Sequence, residues 1–413
     1  MTDHPVATAY HLRPVSGWLN DPNGMIFHEG RWHVFFQHNP QEARHDRIAW
    51  GHASSSDLVT WTDHPVAFGP TPQGPDHHGC WSGVVVVDEE GPAALYSGIA
   101  TDDGTSTVCL RRGDADLVTW GPPTVVAPTP DVDGVSVMRD PFVFHHGGRR
   151  FALLGAGLED GTPAVLLFSC DDLLAWEYRG VWLSAADPVL SRALPADVWE
   201  CPQLAVREGR AALVLSLHDA GVLGQVVACA GEVVDDGGLP RFVPQEVGVL
   251  DTGTDFYAPQ LAGDEGEGAG WWLMGWVRDE HPDLAATDHA GCLTLPRRLL
   301  LGDEGGGRAG GVPRLVLDPA VPRALVTGDP APVRGLLSGR WQVDVGQAGA
   351  VLRHGTLGSR AVAAGATLFV DGPVLEIYPP EEAPATYRHP EPWAVEGDAV
   401  AREVLTSARA AGA

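Results

Sequence analysis

One pentapeptide, repeated at even spacing, constrains the fold of this chain more than any other feature. Asp-Leu-x-x-Trp occurs as Asp57-Leu58-Val59-Thr60-Trp61, Asp116-Leu117-Val118-Thr119-Trp120 and Asp172-Leu173-Leu174-Ala175-Trp176, with the tryptophans 59 and 56 residues apart. A fixed period marks a repeated supersecondary unit. This period accommodates four short strands and their loops, which is the make-up of a propeller blade. From about residue 20 to 300 it allows five blades. Each Asp-Leu turn then precedes an outer strand, and each Trp packs between blades.

The runs between the abundant Gly and Pro fit that reading. Trp32–Phe36, Val84–Val87, Phe142–Phe144, Ala211–Leu217 and Trp271–Met274 are short, apolar and rich in β-formers, and helical periodicity is nearly absent before residue 300. Beyond Pro296-Arg297-Arg298-Leu299-Leu300 the composition changes. A Gly- and acid-rich loop, Gly302 to Gly311, leads to strand-like runs over 335–380, with a hairpin turn at Asp371-Gly372. The tail from about residue 394, rich in Ala, Glu and Arg, reads as a short helix or as disordered chain. The expectation is an all-β protein. A five-bladed β-propeller over residues 1–318 is followed by a small C-terminal β-sandwich with its tail over 319–413.

Charge narrows the partners. The formal net charge is −27, and all 27 basic residues are arginine. Nucleic acid and anionic membrane both need a cationic surface, so neither is expected. No apolar run is long enough to span a bilayer. The N-terminal Met1-Thr2-Asp3-His4-Pro5 lacks the basic and apolar regions of a secretory signal. Cys80, Cys109, Cys170, Cys201, Cys229 and Cys292 are scattered without C-x-x-C spacing, which suggests reduced thiols and a cytoplasmic protein.

Three acidic motifs carry the chemistry: Trp18-Leu19-Asn20-Asp21-Pro22-Asn23-Gly24, Arg139-Asp140-Pro141 and Glu200-Cys201-Pro202. Each sets a carboxylate beside a turn-forming residue. Taken singly, Asp21 reads as a turn aspartate, Asp140 as half of a surface ion pair and Glu200 as a strand-edge acid. An acid flanked by apolar residues, as Glu200 is by Trp199 and Cys201, tends toward the raised pKa that a general acid requires. Converging on one pocket, three such acids suit glycoside hydrolysis. The adjacent pairs His77-His78 and His145-His146 suggest a metal, but neighbouring side chains on a strand point to opposite faces. No metal and no cofactor is expected.

The ordered set of motifs resembles glycoside hydrolase family 32, the invertases, levanases and inulinases. Besides the three acids, it is carried by His11-Leu12-Arg13-Pro14, Phe36-Gln37-His38-Asn39-Pro40, Trp50-Gly51-His52-Ala53, Cys80-Trp81-Ser82-Gly83, Asp255-Phe256-Tyr257-Ala258-Pro259-Gln260 and Leu295-Pro296-Arg297, over about 300 residues. The resemblance implies a five-bladed propeller followed by a β-sandwich, and a retaining β-fructofuranosidase acting on sucrose or short fructo-oligosaccharides. By position, Asp21 is then the nucleophile, Glu200 the acid/base and Asp140 the acid that holds fructose hydroxyls. Arg139 braces the site. Asn20, Gln37, His45, Trp81, Ser82 and Tyr257 line the fructose pocket, and Cys201 tunes the surroundings of the acids.

This chain departs from the family pattern in the pocket wall. His45 stands where Trp is usual, Trp81 where Phe is usual, and Val277-Arg278-Asp279-Glu280 where many members have a second aromatic. These changes leave leaving-group preference open. A fructosyltransferase would use the same intermediate. A sucrose-6-phosphate hydrolase would need cations near the leaving group, for which Arg44, Arg47 and Arg278 are candidates. A non-catalytic sugar-binding propeller would have lost an acid. The expected partner is a small carbohydrate, and an oligomer is compatible with the family.

Overall fold

Five small antiparallel sheets succeed one another along the chain, each an up-and-down meander. The computed structural model describes residues 10–101, 105–263, 270–279, 288–302, 311–404 and 410–411. Blade 1 comprises Gly17–His28, Arg31–Asn39, Ala49–Ser55 and Thr62–Asp63; blade 2, Gly79–Asp88, Gly91–Ile99, Ser106–Arg112 and Thr124–Pro128. Blade 3 is built from Val135–His146, Arg149–Leu158, Pro163–Asp172 and Ala175–Ser184. Blade 4 has Val198–Arg207, Arg210–Asp219, Val222–Asp236 and Leu239–Val249, and blade 5 has Phe256–Gly263, Trp271–Val277, Arg297–Leu300 and Arg314–Leu317. The first strand of every blade contacts the first strands of both neighbouring blades, blade 5 to blade 1 included, so the ring is closed. A short segment after the second strand of blade 5 helps to seal it: His289–Ala290 pairs in parallel with Gly17 and Trp18.

The repeated pentapeptide closes the hairpin between third and fourth strands in blades 1 to 3. Its Asp side chain accepts the backbone N–H two residues on, at Val59, Val118 and Leu174 (2.9, 3.1 and 2.8 Å), forming an Asx turn. The Leu is buried in all three copies. The Trp positions differ. Trp120 packs between blades, edge-on to Phe35 of blade 1 at 5.6 Å, whereas Trp176 packs inside its own blade against Phe168 at 6.0 Å.

The C-terminal part is a β-sandwich-like sheet of eight strands, from Val326–Pro332 to Trp393–Val404, preceded by the short helix Ala320–Leu325. Alternate residues such as Val343, Leu352, Leu368, Ile377 and Val395 form its core. The expected hairpin at Asp371-Gly372 joins Thr367–Asp371 to Val374–Tyr378. Of the tail expected to be helical or disordered from about 394, the residues up to Val404 instead belong to the long strand Trp393–Val404, while 405–409 and 412–413 lie outside the described residues. The strand pairs with Arg340–His354 along two stretches, so sheet pairing overrides its Ala/Glu/Arg composition. Residues 303–310 of the acid-rich loop lie outside the described residues, as does Glu280.

Buried charges join the two parts. Arg297 of blade 5 is fully buried and donates to Asp251 at 2.7 Å, to Glu376 at 3.2 Å and to Thr386 at 2.6 Å. His11 meets Asp371 through Nδ1 (2.9 Å) and Glu376 through Nε2 (3.0 Å). Burial alone would lower the His11 pKa, but the two carboxylates hold it up at about 9. The cations around Glu376, Arg297 first, keep that carboxyl down at about 2 despite its burial.

Candidate active site

All five inner strands break their ladder at the same level. The register shifts fall between Leu19 and Pro22, Cys80 and Gly83, Arg139 and Phe142, Glu200 and Gln203, and Tyr257 and Gln260. A bulge leaves residues unpaired and re-aims their side chains. The acidic motifs, expected to be turns, are therefore bulged strands. Pro and Gly are tolerated in mid-strand because a bulge needs no ladder donor there. In blades 3 to 5 the bulge is an X-Pro step whose first residue has positive φ: Asp140 at 60°, Cys201 at 47° and Ala258 at 43°.

Five bulges on a closed ring face one axis, and a cleft of about 390 Å3 opens there. It is lined by Asn20, Asp21, Gln37, His45, Trp81, Ser82, Arg139, Asp140, Glu200 and Tyr257, so the three acids and every residue assigned to the fructose pocket are brought together, whereas Cys201 and the candidate cations Arg44, Arg47 and Arg278 are not among its lining. It is also lined by Trp18, His218, Gly221, Leu223 and Trp276, which were not singled out. Trp18 opens the first acidic motif without having been given a role, and Trp276 directly precedes Val277-Arg278-Asp279-Glu280. His218, Gly221 and Leu223 lie on the hairpin between the second and third strands of blade 4 and carry no sequence signal of their own.

Asp21 takes its hydrogen bonds from neutral donors. Ser82 Oγ donates to Oδ2 at 2.5 Å, Gln37 Nε2 to Oδ2 at 3.3 Å and Asn20 Nδ2 to Oδ1 at 3.0 Å. Asn20 is oriented in turn by Trp18 Nε1, which donates to its Oδ1 at 2.7 Å. Burial raises the Asp21 pKa, the Ser82 bond opposes the rise and the charge of Glu200 adds to it, leaving it at about 6.

Glu200 is held by charged and aromatic donors. Arg139 Nη1 reaches Oε1 at 3.0 Å, and the Tyr257 hydroxyl donates to Oε2 at 2.7 Å. Arg139 also lies 5.6 Å from the centre of the Trp81 ring. Asp140 is buried and accepts the Cys201 backbone N–H at 3.0 Å. Burial and then the Glu200 charge push it up to about 7, against the pull of Arg139. The Cys201 thiol sits 3.7 Å from Asp21 Oδ2 and 3.5 Å from Asp140 Oδ2, a weak donor between two acids. Burial keeps this thiol protonated, so it is no nucleophile.

Residues 11–309 match the glycosyl hydrolases family 32 N-terminal domain. The chain belongs to glycoside hydrolase family 32. Among curated relatives it is 34% identical over 310 residues to a sucrose-6-phosphate hydrolase of Bacillus subtilis, covering 71% of this chain and 63% of that one. It is 32% identical over 305 residues to a raffinose invertase of Escherichia coli, covering 70% and 61%. The chain thus spans about three fifths of the length of the curated relatives it matches. Two solved structures share the fold. A Bombyx mori GH32 β-fructofuranosidase superposes with a TM-score of 0.76 at 24% identity, over 97% of this chain and 94% of that one. A sucrose-6-phosphate hydrolase from Lactobacillus gasseri gives 0.79 at 20% identity, over 98% and 94%.

A metal reading finds little support among the described residues. His354, His389 and Glu391 of the sandwich bring ligand atoms within 4.8 Å of one another. His354, however, accepts the backbone N–H groups of Thr356 and Leu357 at Nδ1, and its Nε2 lies 3.1 Å from the Glu391 carbonyl. Both ring nitrogens are already in use, as in an ordinary structural histidine.

Proposed function

We propose that this family 32 protein is a retaining β-fructofuranosidase. The observation that carries the reading is the convergence of three carboxyl groups from three blades on one cleft, two of them within reach of a single thiol. In the mechanism proposed, Asp21 attacks the anomeric carbon of the fructosyl unit and Glu200 protonates the departing oxygen. The bond to the leaving group breaks as the bond to Asp21 Oδ forms. Glu200 then takes a proton from a water whose oxygen bonds to the anomeric carbon as the bond to Asp21 breaks, which releases fructose and frees Asp21. Retaining chemistry of this kind suits carboxyl groups about 5–5.5 Å apart. Asp140 holds fructose hydroxyls, and Gln37 Oε1, buried without a protein partner, is a ready acceptor for another. Asn20, Ser82, Trp81, His45 and Tyr257 complete the fructose pocket.

An unphosphorylated leaving group fits better than a phosphorylated one, although several relatives are named sucrose-6-phosphate hydrolase. Of the three candidate cations, two are engaged by protein groups: Arg278 donates to the carbonyl oxygens of Leu223 and Thr254, and Arg44 is paired with Glu42 and Asp46, which leaves Arg47. Six free, buried cysteines suit a reducing compartment, which supports a cytoplasmic location.

The test is a parallel assay on sucrose, a short β-2,1 fructo-oligosaccharide, levan and sucrose 6-phosphate, with free glucose and fructose both measured. Asp21→Asn should lose on the order of 10^4-fold or more in kcat. Retained turnover in that variant would sink the assignment. A deficit of fructose relative to glucose would mean transfer to a sugar, and faster turnover of the 6-phosphate would overturn the preference stated here.

A further inference from the structure

The third acid stands in a backbone conformation that its own blade does not hold. Asp140 has φ of 60°, although it is not glycine, and it precedes Pro141, which disfavours the helical regions for the residue before it. The bulge removes it from the ladder: Arg139 pairs with Gly155 and Phe142 with Leu153, with Asp140 and Pro141 between them unpaired. Its backbone N–H is therefore a buried donor in need of a partner from elsewhere.

The partner comes from blade 2. The Asp140 N–H donates to Ser97 Oγ at 2.8 Å, and Ser97 is 1% exposed. The Ser97 hydroxyl in turn points to the Ser82 carbonyl oxygen at 3.4 Å. Ser82 is the residue whose own hydroxyl donates to Asp21 at 2.5 Å. One buried hydroxyl thus links the bulge that carries Asp140 to the bulge that orients Asp21. A second serine of the same blade, Ser106, donates to the Met138 carbonyl oxygen, so blade 2 grips the Arg139-Asp140 step on both sides.

We infer that Ser97 is a positioning residue. It does not line the cleft, yet it fixes where the Asp140 carboxyl stands relative to Asp21 by holding the backbone of both bulges. A misplacement of about 1 Å at a reacting centre is enough to cost on the order of 100-fold in rate. The kinetic side of this inference rests on the β-fructofuranosidase reading of the cleft; the structural side does not.

The experiment compares wild type with Ser97→Ala and Ser97→Thr, by steady-state kinetics on sucrose, thermal melting and amide hydrogen exchange over residues 137–142. Ser97→Ala should lower kcat about 10- to 100-fold with KM held within about twofold. Its Asp140 amide should exchange faster, while the melting midpoint stays close to wild type. Ser97→Thr keeps the hydroxyl and should recover most of kcat. Unchanged kcat and unchanged exchange in Ser97→Ala would overturn the inference. So would a threonine variant as impaired as the alanine one, or a loss of kcat that only follows a loss of stability. If wild type turns over no fructoside, the proposed function fails, and the exchange rate at Asp140 alone decides whether Ser97 holds this bulge.

Discussion

The Tyr257 hydroxyl donates to Glu200 Oε2 at 2.7 Å across the gap between blades 5 and 4, while Arg139 of blade 3 takes the other oxygen at 3.0 Å. Burial, and then the charge of Glu200, raise the Tyr257 pKa well above the usual phenol range, so the hydroxyl keeps its proton and acts only as a donor there. The guanidinium of Arg278, 5.8 Å from the centre of the Tyr257 ring, packs it from behind.

Replacing Tyr257 by Phe keeps the packing and removes the donor. Leaving the Glu200 carboxyl without this donor costs about 1–3 kcal/mol, so kcat/KM on sucrose should fall about 5- to 150-fold. Thermal melting separates this from a folding defect. A phenylalanine variant with wild-type kcat/KM would remove Tyr257 from the machinery.

Asp21 carries a pH signature. Its carboxyl is raised from 3.8 to about 6 by burial and Glu200. As the proposed nucleophile it must be ionised, so kcat/KM should rise with pH through about 6. The stability sign is the reverse. A raised carboxyl pKa favours the folded state below about 4 and is a growing cost as pH rises through 6. Asp21→Asn should therefore be more stable than wild type at pH 7, by ~3 kcal/mol at most, and equal to it near pH 3. Chemical denaturation at the two pH values checks this, and an equal gap at both would contradict it.

A column of imidazoles in blade 1 sets a second acid limit. His33 Nδ1 and His52 Nε2 are 3.0 Å apart, and the His52 and His64 rings stack at 4.3 Å. His33 is lowered to about 4, by burial first and then by the charges of His64, His28 and Arg31. Its folded pKa lies below the unfolded one, so its contribution is present above about 6.5 and is lost as pH falls toward 4. In His33→Leu the pH slope of stability across that window should flatten, by up to about 1.4 kcal/mol per pH unit. An unchanged slope would mean that His33 is already charged in the folded protein.

Arg297 is the hinge pin of the two parts. Its removal leaves Asp251 buried without its cation and Glu376 with His11 alone. Breaking a buried pair in this way costs about 3–5 kcal/mol. Arg297→Met should unfold at clearly lower denaturant than wild type, and removing the acids together with the arginine should recover part of the loss. A variant as stable as wild type would show that the interface holds without its charges.

Some of this was written in local sequence. Asp21, Asp140 and Glu200 stood out because each lies beside or near a proline in an otherwise apolar stretch. The Asp-Leu-x-x-Trp repeat gave the blade period because an Asx turn needs only neighbouring residues. The same local reading misjudged the acidic motifs as turns and the stretch 393–404 as helix or disordered chain. In both cases pairing with a distant strand decides the conformation, and no window of neighbouring residues contains that partner.

The sequence by itself determined the kinds of residue at the site, the repeat that makes blades and the family to which the chain belongs. Tertiary structure alone decided that five bulges share one level, that Cys201 stands between Asp21 and Asp140, and that Ser97 of blade 2 holds an amide of blade 3. It also decided that Arg278 donates to the carbonyl oxygens of Leu223 and Thr254. The reason is ring closure. Each bulge fixes only the direction of its own side chain, and only closing five blades on one axis turns those directions into distances.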